Sequence, residues 1–168
     1  SITIPATVTS IGGFAFANCT GLETVIFEEG SPITELGVTE LLDGEGGWGT
    51  AIFAGTTSLK AVVLPKNLTS IGIRCFENSG VSEIDLPSGI THIGDRAFYN
   101  CDNLVDAHLT ANLVHLGDEA FFNCANLETA ELNFGLEYLG NMAFAYCTSL
   151  KRAYIPATVT SITGNPFT

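Results

Sequence analysis

Asp85, His108 and Glu131 lie 23 residues apart, and Glu83 and Asp106 hold the place two residues before the first two of them. A carboxylate, an imidazole and a carboxylate at one interval form a donor set that a divalent cation could bridge. On stacked strands, however, side chains of one column run parallel and do not converge on an ion, so the pattern reads as a polar strip with no metal site. Thiol chemistry is the second candidate. Cys19, Cys101, Cys124 and Cys147 share one recurring place, Thr56 and Ser79 fill it in two other copies, and Cys75 stands where Ala97, Ala120 and Ala143 stand. A zinc site needs converging pairs of thiols, and these occur once per copy. A nucleophile needs a base within reach, and no histidine shares the column. The cysteines therefore read as small buried hydrophobes. A disulfide between neighbouring copies would demand strained geometry, and five cysteines without a disulfide framework leave the compartment undecided. No G-x-S-x-G elbow, H-E-x-x-H, phosphate-cradling G-x-x-x-x-G-K or G-x-G-x-x-G before a long helix occurs. The sequence offers no catalytic residue and calls for no cofactor.

The elements that position these residues follow from a repeat. Ile93 to Leu104 recurs as Leu116 to Leu127 and as Leu139 to Leu150, each copy 23 residues after the last. A fixed period of this size marks a solenoid, in which each unit touches only its neighbours. Seven phenylalanines hold one place in it: Phe16, Phe53, Phe76, Phe98, Phe121, Phe144 and Phe167. The unit from Phe76 is one residue short, with Val81 where the others reach Leu22, Leu59, Leu104, Leu127 and Leu150. Triplets such as Val25-Ile26-Phe27, Val62-Val63-Leu64, Ile84-Asp85-Leu86 and Ala130-Glu131-Leu132 are apolar at the first and third places. That alternation predicts short half-buried strands, stacked in parallel about 4.8 Å apart. A second apolar pair per unit (Ile71, Ile93, Leu116 and Leu139 among them) precedes a glycine, which a positive φ or a close backbone approach would require. The Ala-Phe-x-Asn-Cys segment predicts a helical turn or a 3-10 piece, giving an α/β solenoid over residues 1–168 as a single array. The array begins and ends in mid-repeat, as expected either of a segment of a longer protein with further domains or of an array whose caps are missing.

Composition sets limits on partners. Apolar residues make up 46% and charged residues 14%, enough to bury a continuous core. Six basic residues face eighteen acidic ones, a net charge of -12, which repels phosphate backbones and anionic lipid and argues against nucleic acid. No run of 18 apolar residues is present to insert in a bilayer. His92 and His115 share a column with Ser70 and Tyr138 and receive no role.

Units such as Pro5-Ala6-Thr7-Val8-Thr9-Ser10-Ile11-Gly12-Gly13-Phe14-Ala15-Phe16-Ala17-Asn18-Cys19 and Pro87-Ser88-Gly89-Ile90-Thr91-His92-Ile93-Gly94-Asp95-Arg96-Ala97-Phe98-Tyr99-Asn100-Cys101 resemble the BspA-type leucine-rich repeat. The resemblance covers almost the whole chain. It implies a right-handed superhelix, a secreted or cell-surface location, and adhesion to a host or extracellular-matrix protein or to a glycan, with no shared catalytic residues. It also implies that variable strand residues line the concave side, where partners dock. One column there reads Ile26, Val63, Asp85, His108, Glu131, Tyr154, and its neighbour Thr24, Ala61, Glu83, Asp106, Thr129, Arg152. The candidate binding residues are Glu83, Asp85, Asp106, His108, Glu131, Arg152 and Tyr154. An insertion at 38–49 adds Asp43, Glu45 and Trp48, either as a bulge whose Trp48 covers a neighbouring unit or as a loop that contacts a partner. The runner-up to adhesion is a structural repeat element within a larger assembly.

Overall fold

The computed structural model describes residues 1–39 and 50–168. Its strands are β1 (Ile2–Ile4), β2 (Thr24–Phe27), β3 (Glu35–Leu36), β4 (Ala61–Val63), β5 (Ser70–Ile71), β6 (Glu83–Ile84) and β7 (His92–Ile93), then β8 (Asp106–Ala107), β9 (His115–Leu116), β10 (Thr129–Ala130), β11 (Tyr138–Leu139), β12 (Arg152–Ala153) and β13 (Ser161–Ile162). Every pair is parallel and joins residues one repeat apart, as Thr129 with Arg152 and His92 with His115. The strands form two faces of one coil. The first face holds a four-stranded sheet, β1-β2-β4-β6, followed by a three-stranded sheet, β8-β10-β12. The second face holds one six-stranded sheet, β3-β5-β7-β9-β11-β13.

Between the faces runs the core predicted from the periodicity. The seven phenylalanines stack ring on ring, at 5.0 Å between Phe98 and Phe121 and 5.7 Å between Phe144 and Phe167. Phe53, Phe76, Phe98 and Phe121 are buried, while Phe167, on the last rung, is 37% exposed. The glycines after the second strands answer to close approach. A Cβ on Gly72, Gly94 or Gly117 would stand 2.5–2.8 Å from the rung before it, and one on Gly140 would stand 2.3 Å from the Gly117 carbonyl carbon. Among the glycines of that column only Gly37 also has a positive φ.

The α/β label needs correction. No α-helix or 3-10 helix occurs among the described residues; the Ala-Phe-x-Asn-Cys segment is a run of linked turns. Arg96 and Asn100 both have φ near +55°, as do Glu119 and Asn123, so a left-handed residue recurs every four positions and breaks any helix. The backbone donors alternate in purpose. Ala97, Tyr99 and Cys101 N–H donate three residues back within the turn, whereas Arg96, Phe98 and Asn100 N–H donate to Asp118, Ala120 and Phe122 of the next rung. A helix would consume all of them internally and leave nothing to join the rungs.

The first face is interrupted between β6 and β8. Lys151 N–H donates to Glu128 O and Glu128 N–H to Val105 O (2.9 Å), yet among the described residues no matching bond joins Val105 N–H to the third rung. Two features coincide there: the shortened unit, and Glu83 directly before Asp106 in its column. Like charges placed opposite each other oppose strand pairing.

Candidate interaction face

Along the first-face strands from β2 to β10 the residues divide by direction, whereas on β12 both Arg152 and Ala153 are exposed. Val25, Val62, Ile84, Ala107 and Ala130 point inward and are at most 5% exposed. Ile26, Val63, Asp85, His108, Glu131 and Tyr154, the intervening or following residues, are all exposed. Alternation of this kind follows from the pleat: one set is fixed by packing, the other is free to vary.

The acidic candidates come together at the interruption. Glu83, Asp85, Asp106 and His108 line one cleft of about 440 Å³ with Ser82, Ile84 and Val105. Asp106 and His108 also border a second of about 290 Å³ with Thr129 and Glu131. Asp106 accepts a hydrogen bond from Thr129 Oγ1, and His108 Nε2 lies 3.9 Å from its other oxygen. Arg152 and Tyr154 stand apart from this group, on the next rung beyond Thr129 and Glu131. Tyr154 packs edge-to-face on Phe134 with ring centroids 6.4 Å apart, and the two are 65% and 73% exposed. Phe134 escaped the strand-based reading because it lies in the turn after the triplet. The signal was present, since other units carry Lys66, Ser88, Ala111 and Ala157 at that place. Asp43, Glu45 and Trp48 lie outside the described residues; at the root of the insertion, Val38 N–H donates to Thr50 Oγ1 at 3.3 Å.

The basic side chains are engaged elsewhere. Lys60 pairs with Glu23 (3.5 Å), Lys66 with Glu29 (2.7 Å), Arg74 with Glu77 (3.6 Å), Arg96 with Glu119 (2.7 Å) and Lys151 with Glu128. Among the described residues Arg152 is the only base with no ion pair to a carboxylate. Among the described residues no ion pair involves Glu83, Asp85 or Glu131, although Lys66 borders a cleft with Asp85.

The thiols are set for packing. Cys101, Cys124 and Cys147 each donate from Sγ to the Phe carbonyl of the preceding rung at 3.1 Å. Burial pushes Cys101 up to about 12 and Cys147 up to about 11, and raises Cys75 and Cys124 as well, so the nucleophilic thiolate is suppressed. Cys19 departs from the expected burial: in the first rung it has no earlier carbonyl to meet, and it is exposed. Among the described residues no three His, Cys, Asp or Glu side chains converge on an ion, and no helix is long and apolar enough to cross a membrane.

On the second face His92, His115 and Tyr138 stack at 5.7 and 4.3 Å. Beside them runs a ladder of short side chains: Asp95 Oδ1 accepts from Asp118 N–H, Asp118 Oδ1 from Asn141 N–H (2.8 Å each), and Asn141 Oδ1 from Asn165 N–H (3.2 Å). These contacts tie rung to rung.

No curated protein matches the sequence. Among solved structures the chain is similar to the T. pallidum leucine-rich repeat protein TpLRR, at 25% identity and a TM-score of 0.82, over 96% of this chain and 72% of that one. It is also similar to a leucine-rich repeat protein from Bacteroides ovatus, at 30% identity and a TM-score of 0.61, over 95% of this chain and 44% of that one. The pneumococcal vaccine antigen PcpA shares the fold at 21% identity and a TM-score of 0.58, over 94% of this chain and 40% of that one. Repeat arrays of this kind generally serve as non-catalytic scaffolds for protein interaction. Six copies of the family model for the BspA type leucine rich repeat region match residues 1–39 and 48–168, so the chain belongs to the BspA-type leucine-rich repeat family.

Proposed function

We propose that the chain is a binding module of a cell-surface or secreted protein, serving adhesion, and that it meets its partner on the first face. In this reading that face is the concave side of a right-handed superhelix, and the loop at 38–49 supplements it with Trp48, Asp43 and Glu45. The observation that carries the reading is the division along the strands from β2 to β10, in which the inward residues are uniformly apolar while the outward ones change from rung to rung. Packing demands nothing of Glu83, Asp85, His108, Glu131, Arg152 or Tyr154, so their identities are free to serve recognition. Arg152 and Tyr154 are of the residue types most enriched at interface anchors, and Phe134 widens the aromatic patch.

A host or extracellular-matrix protein, or a glycan, is the partner class that the family resemblance favours. Capture from extracellular-matrix extract tests it, with the parent chain, a variant lacking residues 38–49, and a variant carrying Asp85→Asn, Asp106→Asn, Glu131→Gln and Tyr154→Ala together. The parent retains a partner and the face variant loses it. Undiminished capture by the face variant removes the first face from consideration, and loss only in the loop variant assigns recognition to the insertion.

A further inference from the structure

The first face has a polarity of its own along the stack. Its early rungs present Ile26 and Val63, its middle rungs Glu83, Asp85, Asp106 and Glu131, and its late edge the Phe134–Tyr154 pair. Carboxylates only accept hydrogen bonds, and the groups that complement them are ammonium and guanidinium, which only donate. Five of the chain's six lysines and arginines pair with other acids, Lys66 among them although it borders a cleft with Asp85, and Arg152 lies beyond Thr129. At the interruption the strands leave a cleft of about 440 Å³ between Glu83, Asp85 and Asp106. Val105 stands there 48% exposed and, among the described residues, its N–H has no backbone bond to the rung before.

We infer that the segment docking on this face is a cationic polypeptide laid along the stack. Its lysine or arginine side chains sit over Glu83, Asp85 and Glu131, and an apolar residue closes on Phe134 and Tyr154; this rests on the first face being the docking surface proposed above. Charge complementarity selects this occupant and speeds its arrival, while polyanions are repelled.

The probe is a synthetic fluorescein-labelled peptide with alternating lysines and a tryptophan near one end, set against the same peptide with glutamate for lysine. Fluorescence anisotropy is read at about 50 mM and about 500 mM salt, across which screening of exposed charges rises sharply. Three variants are compared with the parent: Glu83→Gln/Asp85→Asn/Glu131→Gln on the face, Glu35→Gln/Asp102→Asn/Glu137→Gln as an equal charge change elsewhere, and Phe134→Ala/Tyr154→Ala. All six acidic positions are exposed, so the fold tolerates the amides. The lysine peptide binds the parent and the glutamate peptide does not. The face variant weakens binding by about tenfold or more, the remote variant by less than about twofold, and high salt removes the difference. Equal weakening by the face and remote variants reduces the effect to net charge and overturns the inference, as does failure of the lysine peptide to bind. If the face triple leaves matrix capture intact while Phe134→Ala/Tyr154→Ala abolishes it, the docking surface stands and the cationic partner falls. Binding of a neutral glycan unaffected by the triple has the same consequence.

Discussion

The two faces of the coil are built from the same rungs and enclose the same phenylalanine stack, yet one is continuous and the other is not. From β3 to β13 the second face pairs without a gap, and its column Glu35, Ser70, His92, His115, Tyr138 and Ser161 is mostly neutral, partly stacked and, at Ser70, buried. The first face places Glu83 before Asp106 and loses its pairing between those strands. Apolar packing, the turn hydrogen bonds and the β7–β9 pairing of the second face thus hold rungs three and four together, with Phe76 on Phe98 at 5.3 Å, even where pairing on the first face is absent. Stacking is set from inside, and the outward residues decide only how well each sheet closes over it.

The largest effect is expected from the shared interior. Phe98→Ala or Phe121→Ala removes a buried ring and should lower stability by about 3–5 kcal/mol in denaturant unfolding. Phe167→Ala, at a ring already 37% exposed, should cost far less. If Phe98→Ala melts with the parent, the stack is not the core of either face. Next is the continuous face itself. Gly140→Ala drives a Cβ to 2.3 Å from the backbone of the rung before, whereas Gly12 has nothing within 4 Å. Overpacking of this kind costs about 1–3 kcal/mol, so a Gly140→Ala melt equal to that of Gly12→Ala would contradict the tight spacing.

The interruption gives a smaller effect of opposite sign. Glu83→Gln with Asp106→Asn relieves the like-charge pair and should raise stability by about 0.2–1 kcal/mol. A loss of stability would mean that those carboxylates are not in opposition. Smallest is Asp95→Asn on the second face. Partial desolvation of its carboxyl, joined by the nearby Asp118 carboxylate, raises the Asp95 pKa despite the Asp118 N–H it accepts, although the residue as a whole is exposed. The folded chain therefore binds that proton more tightly than the unfolded one. The stability this contributes is present below the ordinary carboxylate pKa and is lost as pH rises through the raised value. The amide keeps an acceptor for Asp118 N–H without a charge, as Asn141 does toward Asn165. Thermal melts should therefore favour Asp95→Asn at pH 7, with the advantage closing under acid; an advantage that grows under acid would reverse the sign.

Much of this was legible in the residues. The spacing of Phe76, Phe98, Phe121 and Phe144 alone specifies stacked coils, and the column through Gly94, Gly117 and Gly140 reports how closely they approach. A linear pattern is enough when one side-chain type meets one demand in every copy. The turn from Arg96 to Cys101 was not legible, because its conformation depends on where each N–H finds an acceptor one rung away. The interruption was hidden for a related reason: strand propensity of Ile84 and Ala107 says nothing of the charges set beside them. Phe134 lay in a turn, outside the columns that the period-two reading searches, though its contrast with Lys66, Ser88 and Ala111 marked it.

Amide hydrogen exchange on the free chain tests the central claim, one inner stack under an open first face and a closed second one. In the fourth rung Val114 N–H donates to Thr91 O at 2.9 Å on the second face, while on the first face Val105 N–H has no such bond to the described residues of the rung before it. Slow exchange is expected at Val114 and Glu128 and fast exchange at Val105, within a chain that unfolds as one unit. Equal protection at Val105 and Val114 would show that the first face is closed and would remove the cleft on which recognition is argued.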